Sequence, residues 1–194
     1  MRPENNNTFP ASDWFDFNFF EFANSNISIK KQFNEQNLKV NDSRLSSRVL
    51  NHWYVSGIIN DNRPNGKGWK KFSFSEIVWV HIVFKLRSFG LDLKRIKGVK
   101  DNIDEFNSID EISNCPLLDF YMYVAISSKI PVKLIVFESG QAEIVRQLDI
   151  DLANTVGLIS EDFISIDINK LLNKLFTKKN IETDYLGYSD VPKS

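Results

Sequence analysis

Two stretches decide the fold of this 194-residue chain: LSSRVLNHWYVSGIIN at residues 45–60 and RPNGKGWKKFSFSEIVWVHIVFKLRSFGLDLKRI at residues 63–96. The first predicts a short helix, because the Ser46 hydroxyl can accept a hydrogen bond from a first-turn amide and apolar residues follow at helical spacing. Gly57 predicts the end of that helix, where a left-handed residue is needed. The second stretch begins with turn residues that carry positive charge, which predicts a basic two-stranded wing.

The second stretch then predicts a pair of packed helices. Ser73 and Glu76 have the spacing of a capping box, in which the serine caps the helix and the glutamate reaches back to the backbone of the cap. Gly90 predicts the end of this helix, and Asp92 is placed to cap the next one. A short helix, a wing and a helix pair together predict a winged helix-turn-helix, which inserts one helix into the major groove of DNA. The residues expected in its core are Leu50, Trp53, Ile58, Phe72, Ile77, Val80, Phe84, Leu86, Phe89 and Ile96.

Three blocks of this region resemble the DNA-binding domain of MerR-family regulators, in the family's order. Residues 45–59 (LSSRVLNHWYVSGII) are similar to the family's run of valine, serine, any residue, arginine, threonine, leucine, arginine, two aromatics and a later glycine-leucine-leucine. Residues 68–73 (GWKKFS) resemble its glycine-tyrosine-arginine wing, and residues 86–96 (LRSFGLDLKRI) its third block. The resemblance implies a MerR-like winged helix-turn-helix at about residues 28–100, sequence-specific DNA binding and transcription regulation.

The chain departs from the family pattern in two ways. Asn51 stands where the family has arginine and Tyr54 where it has glutamate, so the family's base preference is not carried over. The family usually continues into a long helix that pairs with a second subunit, and such a helix needs a sustained apolar heptad. Residues 101–114 contain no such run, and Pro116 would interrupt one. The sequence therefore leaves open a homodimer through an interface other than a coiled coil.

Ten side chains are the expected DNA contacts. They are Ser46, Ser47, Arg48, Asn51 and His52 at the recognition helix, and Arg63, Lys67, Trp69, Lys70 and Lys71 in the wing. Arg48 can reach guanine or phosphate, and the Asn51 amide can bind adenine through two hydrogen bonds. The wing cations are expected to hold phosphate, while Trp69 is either a core anchor or stacks on a sugar.

The distribution of charge supports contact with nucleic acid. Residues 28–101 contain fifteen Lys and Arg against six Asp and Glu, a net charge of +9. Residues 1–27 carry −3 and residues 102–194 carry −7, so the whole chain has a net charge of only −1. A solvated basic face on any small domain is the alternative interpretation. The coincidence of the charge with the helix-turn-helix pattern favours contact with phosphates.

The expected fold class is α+β: a winged helix-turn-helix head followed by a small α+β domain with a β-hairpin between helices. The predicted units are a partly disordered N-terminal arm with an aromatic segment at residues 1–27, the head at 28–101, a linker at 102–115, the small domain at 116–180 and a tail at 181–194. In the small domain the predicted elements are helices Pro116–Ser128 and Ile168–Phe176, hairpin strands Val132–Phe137 and Ala142–Val145, and a third strand Phe163–Ile166. The arm's aromatic side chains are expected to dock on helix Pro116–Ser128, because they expose too much apolar surface to water.

Other chemistry is not indicated, and the sequence predicts no catalytic residue, metal site or cofactor. His52 falls in the recognition helix and His81 in an apolar helix, without partners at metal-ligand spacing. Cys115 is the only cysteine, which excludes an intrachain disulfide and fits a reducing, cytoplasmic setting. No apolar run reaches the roughly 18 residues that cross a bilayer, and the N-terminus does not resemble a signal peptide, so no membrane association is expected.

The sequence therefore predicts a cytoplasmic, nucleoid-associated protein that binds double-stranded DNA, with transcription regulation as its role and no enzymatic activity. Two alternatives stay open. One is a DNA-bending recombination accessory factor of the excisionase kind, although such factors often consist of the head alone. The other is a protein-interaction adaptor that kept the winged fold without binding DNA, which the +9 block disfavours.

Overall fold

The computed structural model describes residues 9, 13–24, 28–40, 42–61, 63, 70–104 and 117–179. The predicted wing tip at residues 64–69, most of the predicted linker, Cys115 and the predicted tail lie outside these residues. The described helices are α1 Asp13–Asn24, α2 Ser28–Asn34, α3 Ser47–Val55, α4 Phe74–Ser88, α5 Leu93–Asp104, α6 Leu117–Ser127, α7 Gln147–Thr155 and α8 Ile168–Lys179. The strands are β1 Val132–Phe137, β2 Ala142–Arg146 and β3 Phe163–Asp167.

The expected α+β fold class is confirmed by this order of elements. The three strands form an antiparallel sheet with the order β2-β1-β3. Both strands of the predicted hairpin and the third strand lie where the sequence places them, to within one residue at their ends. Within the described part of the chain, no helix combines the length and the apolar character that crossing a membrane requires.

The helix starts predicted from local spacing are confirmed. The Val49 amide donates to the Ser46 hydroxyl at 3.3 Å, and the helix ends before Gly57, which has a φ of +67°. At α4 the Glu76 amide donates to the Ser73 hydroxyl at 3.1 Å, while the Ser73 amide donates to the Glu76 carboxylate at 2.9 Å. These contacts satisfy backbone donors that the first turn of a helix leaves unpaired.

The predicted core of the head is mostly confirmed. Seven of its ten members are buried: Trp53, Ile58, Phe72, Ile77, Val80, Leu86 and Ile96. Leu50 and Phe84 are only half-buried, at the edge of the core. The prediction for Phe89 is wrong, because this side chain is 57% exposed. Phe89 is the C-cap of α4, beyond the last helical turn, and the chain turns away at Gly90 (φ +91°).

The strand β1 is covered on both faces. Leu134 and Val136 belong to the main core, against which α6 and α8 pack, while Ile135 and Phe137 form a second cluster with Ile150 of α7. The sequence did not predict α7. Its first turn depends on Asp149, whose carboxylate accepts hydrogen bonds from both the amide and the guanidinium of Arg146.

One continuous hydrophobic core joins the head to the C-terminal elements. It runs from α1 to α8, and α6 contacts both α2 and α5 of the head. The predicted linker also begins too early: α5 continues through Asp104, and Ile103 within it is buried. The head was predicted to end at residue 101, where the charge changes sign, but the amphipathic pattern of α5 continues for about one more turn. The other predicted boundaries between units stay predictions.

The aromatic N-terminal segment forms helix α1 and packs on α6. The rings of Phe19 and Phe22 lie with their centroids 5.3 Å and 5.8 Å from that of Phe120. The guanidinium of Arg146 lies 4.1 Å from the ring centroid of Trp14, which adds a cation–π contact to the docking. The docking expected for the aromatic side chains is therefore confirmed in part: this face of α1 covers α6 within one chain, whereas two other phenylalanines of α1 are exposed.

One buried carboxylate connects three helices. Asp119 of α6 is 1% exposed and accepts hydrogen bonds from the Ser75 hydroxyl at 2.5 Å and the Asn34 side-chain amide at 2.8 Å. Burial raises the pKa of Asp119 above its ordinary value, and the two hydrogen bonds oppose that rise. The contacts join α6 to α4 and α2.

We expect Phe22→Ala to destabilise the protein by about 3–5 kcal/mol, because Phe22 is fully buried against α6 and its removal leaves a cavity. Phe17→Ala on the same helix is the matched control, since Phe17 is 64% exposed, and it should change the free energy of unfolding by less than about 0.5 kcal/mol. Urea unfolding of both variants measures the difference. Equal effects would show that α1 does not dock.

We expect Asp119→Asn to make stability less dependent on pH. The pKa of Asp119 is raised in the folded protein, so the unfolded chain releases this proton first as the pH rises above about 4. The free energy of unfolding of the wild type therefore falls with pH until the pH passes the pKa of Asp119 in the folded state. The stability of the variant relative to wild type should therefore increase with pH over this range. Urea unfolding from about pH 4 upward tests this, with Asp151→Asn on the exposed side of α7 as control. A difference that stays constant with pH would contradict it.

Candidate nucleic-acid interface

The helix α3 exposes one continuous face, which is polar except for Val55. Arg48, Asn51, His52 and Val55 are all exposed, and their spacing of three and four residues places them on the same side of the helix. Ser47 is exposed at the start of the same helix. The structure therefore brings together the recognition-helix residues expected from the sequence. Val55 was not among them, although the helical period places it on this face.

The opposite face of α3 is held by the core. Trp53 is buried, and its ring centroid lies 5.3 Å from that of Phe84 on α4. The Trp53 carbonyl accepts the Ile58 amide at 2.9 Å, which fixes the chain as it leaves the helix. The guanidinium of Arg44 lies over the ring of the same Phe84, 4.0 Å from its centroid. These contacts orient the exposed face rigidly with respect to α4.

The start of α3 offers free backbone amides. Ser46 caps the helix and uses its hydroxyl on the Val49 amide, so the amides of Ser47 and Arg48 have no intrahelical carbonyl to bind. Helix N-termini of this kind carry partial positive charge and suit a phosphate group. We therefore expect a phosphate contact at this helix start.

In the described residues, the end of the predicted wing is joined to the segment after α2 by an isolated backbone bridge. Leu38 and Phe72 exchange two hydrogen bonds, of 3.0 Å and 2.7 Å, in an antiparallel bridge. The antiparallel register places Lys39 opposite Lys71, and both lysines are exposed. Lys71 is where the sequence expected a phosphate contact. Lys39 was missed, because only the long-range bridge brings it beside the wing.

The expectation that Lys70 holds phosphate is wrong. Lys70 is 8% exposed, and its ammonium donates to the Asn60 carbonyl at 2.5 Å and to the Glu76 carboxylate at 3.0 Å. The charge is thus neutralised inside the protein, at the start of α4. Binding phosphate would require breaking both contacts and exposing the lysine.

Arg63 is exposed only in part and is engaged by a neighbouring acid. Its guanidinium donates to both carboxylate oxygens of Asp61, at 2.8 Å and 2.7 Å, and lies 5.2 Å from the Tyr54 ring centroid. The hydrogen bonds from Arg63 lower the pKa of Asp61 to about 2, so the pair stays ionised and nearly neutral as a unit. Arg63 therefore offers DNA less positive charge than the sequence suggested.

Lys67 and Trp69 lie outside the described residues, so their roles stay predictions. Among the residues that are described, no three His, Cys, Asp or Glu side chains come together in a way that could hold a metal ion. His52 lies on the exposed face of α3 and His81 is half-buried in α4, with its ring centroid 6.2 Å from that of Phe84.

Comparison with known families agrees with this geometry. Residues 40–103 match the family model described as MerR HTH family regulatory protein. The match covers α3, the wing, α4 and nearly all of α5, and it supports a MerR-type helix-turn-helix DNA-binding domain in this part of the chain. No curated protein and no solved structure matches the chain.

We expect Lys71 and Lys70 to respond differently to substitution. For about five phosphate contacts, the logarithm of duplex affinity should fall with the logarithm of salt concentration with a slope of about −4 to −5. Lys71→Ala should reduce that slope by about one. Lys70→Met should leave it unchanged and instead lower the free energy of unfolding by about 1–3 kcal/mol, since the Asn60 carbonyl and Glu76 lose a donor. Salt titrations and urea unfolding separate the two, and a reduced slope for Lys70→Met would mean that Lys70 faces DNA.

Proposed function

We propose that this chain, which carries a MerR-type helix-turn-helix DNA-binding domain, is a sequence-specific transcriptional regulator that acts on double-stranded DNA in the cytoplasm. One observation carries the proposal: Arg48, Asn51 and His52 lie exposed on one face of α3, inside the residues that match the family. The net charge of +9 over residues 28–101 supports it, because it places positive potential around that face.

The exposed face of α3 suits direct reading of base edges. Arg48 has the length and the paired donors to bind guanine O6 and N7, while the Asn51 amide matches adenine N6 and N7. The two residues lie about 4.5 Å apart along the helix axis, close to the roughly 3.4 Å rise between base pairs. They would therefore contact neighbouring base pairs, and His52 would lie beside them. Ser46 and Ser47 would contact the sugar-phosphate backbone of the DNA.

Contacts to phosphate would come from the edges of this face. Lys71 and Lys39 are exposed opposite each other, beside the bridge that closes the base of the predicted wing. The free amides at the start of α3 would bind phosphate as well. Lys67 and Trp69 of the wing belong to the proposal on sequence grounds. Arg63, whose guanidinium is held by Asp61, also belongs to the proposal on sequence grounds.

We expect Arg48→Ala and Asn51→Ala each to weaken binding to the preferred site by about 1–3 kcal/mol and to relax preference at one base position. Lys174→Ala, an exposed residue of α8, is the control that removes a positive charge outside the proposed interface. Selection of bound duplexes from a random library, followed by affinity measurements on the selected site, gives both quantities.

The selection also separates this proposal from its rivals. A selected motif that Arg48→Ala leaves unchanged in content and affinity would contradict the assignment of α3 as the recognition helix. A protein with no affinity for duplex DNA would instead support an adaptor that kept the fold. Strong bending of the selected DNA, measured by gel mobility of permuted fragments, would favour a recombination accessory factor.

A further inference from the structure

Val55, the last residue of α3, has the most exposed large apolar side chain among the described residues. It is 88% exposed, whereas the next, Leu148 on α7, is 65% exposed. Valine is poorly suited to a solvated helix end, because its branched side chain lowers helix preference and forms no hydrogen bond with water. The exposure of Val55 leaves its methyl groups available to an apolar group of a partner.

Val55 lies in the middle of the exposed face that carries Arg48, Asn51 and His52. Seven residues make nearly two full turns of an α-helix, so Val55 points within about 20° of the direction of Arg48. Asn51 and His52, three and four residues after Arg48, lie to either side of that direction. Base-contacting residues of the homeodomain recognition helix, which lies in the major groove, have the same spacing of three, four and seven residues.

The helix α3 is short enough for its whole exposed face to lie in one groove. Its nine residues span about 13 Å, and the major groove of B-DNA is roughly 12 Å wide. Val55 lies about 10.5 Å along the axis from Arg48, which corresponds to about three base pairs at the roughly 3.4 Å rise of the duplex. A helix placed so that Arg48 and Asn51 reach base edges therefore brings Val55 to a further base pair.

We propose that Val55 binds the C5-methyl group of a thymine in the major groove, about three base pairs from the base that Arg48 contacts. The inference rests on the proposed function, because it names a further base that the same helix reads. Thymine is the one unmodified base that presents an apolar group in the major groove, where the other bases present hydrogen-bond donors and acceptors. Valine cannot pair with those groups, and burying them unpaired costs free energy.

The stiffness of valine favours this contact. A branched side chain in a helix is nearly fixed at χ1, so Val55 loses little rotamer freedom when it is buried. Burying one methyl group against apolar surface is expected to strengthen binding about three- to fivefold. The methyl group of 5-methylcytosine has the same chemistry, so the experiment has to distinguish the two bases.

Removal of single methyl groups from the DNA tests the contact. The wild-type chain first selects its site from an unmethylated random library, so that any methyl group in the site belongs to thymine. Each thymine of the site is then replaced in turn by deoxyuridine, which lacks only the C5-methyl group. One replacement, about three base pairs from the position whose preference Arg48→Ala relaxes, is expected to weaken binding about three- to fivefold.

Val55→Ser should abolish this discrimination and bind the thymine and deoxyuridine duplexes equally. Val156→Ser is the matched control, because Val156 is a 57% exposed valine at the end of α7, outside the proposed interface. The control should discriminate between the two duplexes as the wild type does. Both side chains are exposed, so urea unfolding should give the wild-type midpoint for both variants.

The proposal is overturned if no deoxyuridine replacement weakens wild-type binding, or if Val55→Ser discriminates as well as Val156→Ser. A site in which methylation of a cytosine strengthens binding, while no thymine methyl does, would overturn the assignment to thymine. In each of these outcomes the effect of Arg48→Ala on the selected site would still support the proposed function. Failure to select any duplex would overturn both proposals together, so the two failures are distinguishable.

Discussion

The helix α6 is apolar almost all the way round, and the arrangement of the other elements follows from the need to cover it. Eight of its eleven residues are buried, so no side of the helix can be left in water. The aromatic face of α1 covers Phe120, and α2, α5, α8 and the hairpin cover the remaining sides. Because α2 and α5 belong to the helix-turn-helix head, the head and the C-terminal elements share one core. They are expected to fold and unfold together.

A second constraint is the carboxylate of Glu76, which accepts hydrogen bonds from groups outside its own helix α4 as well as from the cap of that helix. It accepts the Ser73 amide as part of the capping box, and it also binds the Lys70 ammonium and the Gln36 side-chain amide. The start of α4, the base of the wing and the segment after α2 therefore meet at one acid. The head loses a cation that would otherwise face DNA, but its net charge of +9 is not reduced by this pair, because the negative charge of Glu76 is already counted in it.

The parts of the fold that could be predicted depend on contacts within three or four residues. The caps at Ser46 and Ser73 and the exposed face of α3 all follow from such local spacing. The burial of Lys70 could not be predicted, because its carbonyl partner on Asn60 lies ten residues away and only the folded chain brings the two together. The position of Lys39 could not be predicted for the same reason, because only the bridge between Leu38 and Phe72 brings it beside Lys71.

A shared core also has a consequence for the recognition face of α3. The recognition face of α3 packs on α4, α4 on α5 and α8, and α5 on β2, to which α7 is joined directly. In the described part of the chain, each step from the proposed DNA-binding face to the C-terminal elements is therefore a packed contact. The orientation of α3 is set by the same core that holds the C-terminal elements together. A substitution that loosens the packing of α5 or α8 is therefore expected to disturb the DNA-binding face as well, although neither helix carries a proposed base contact.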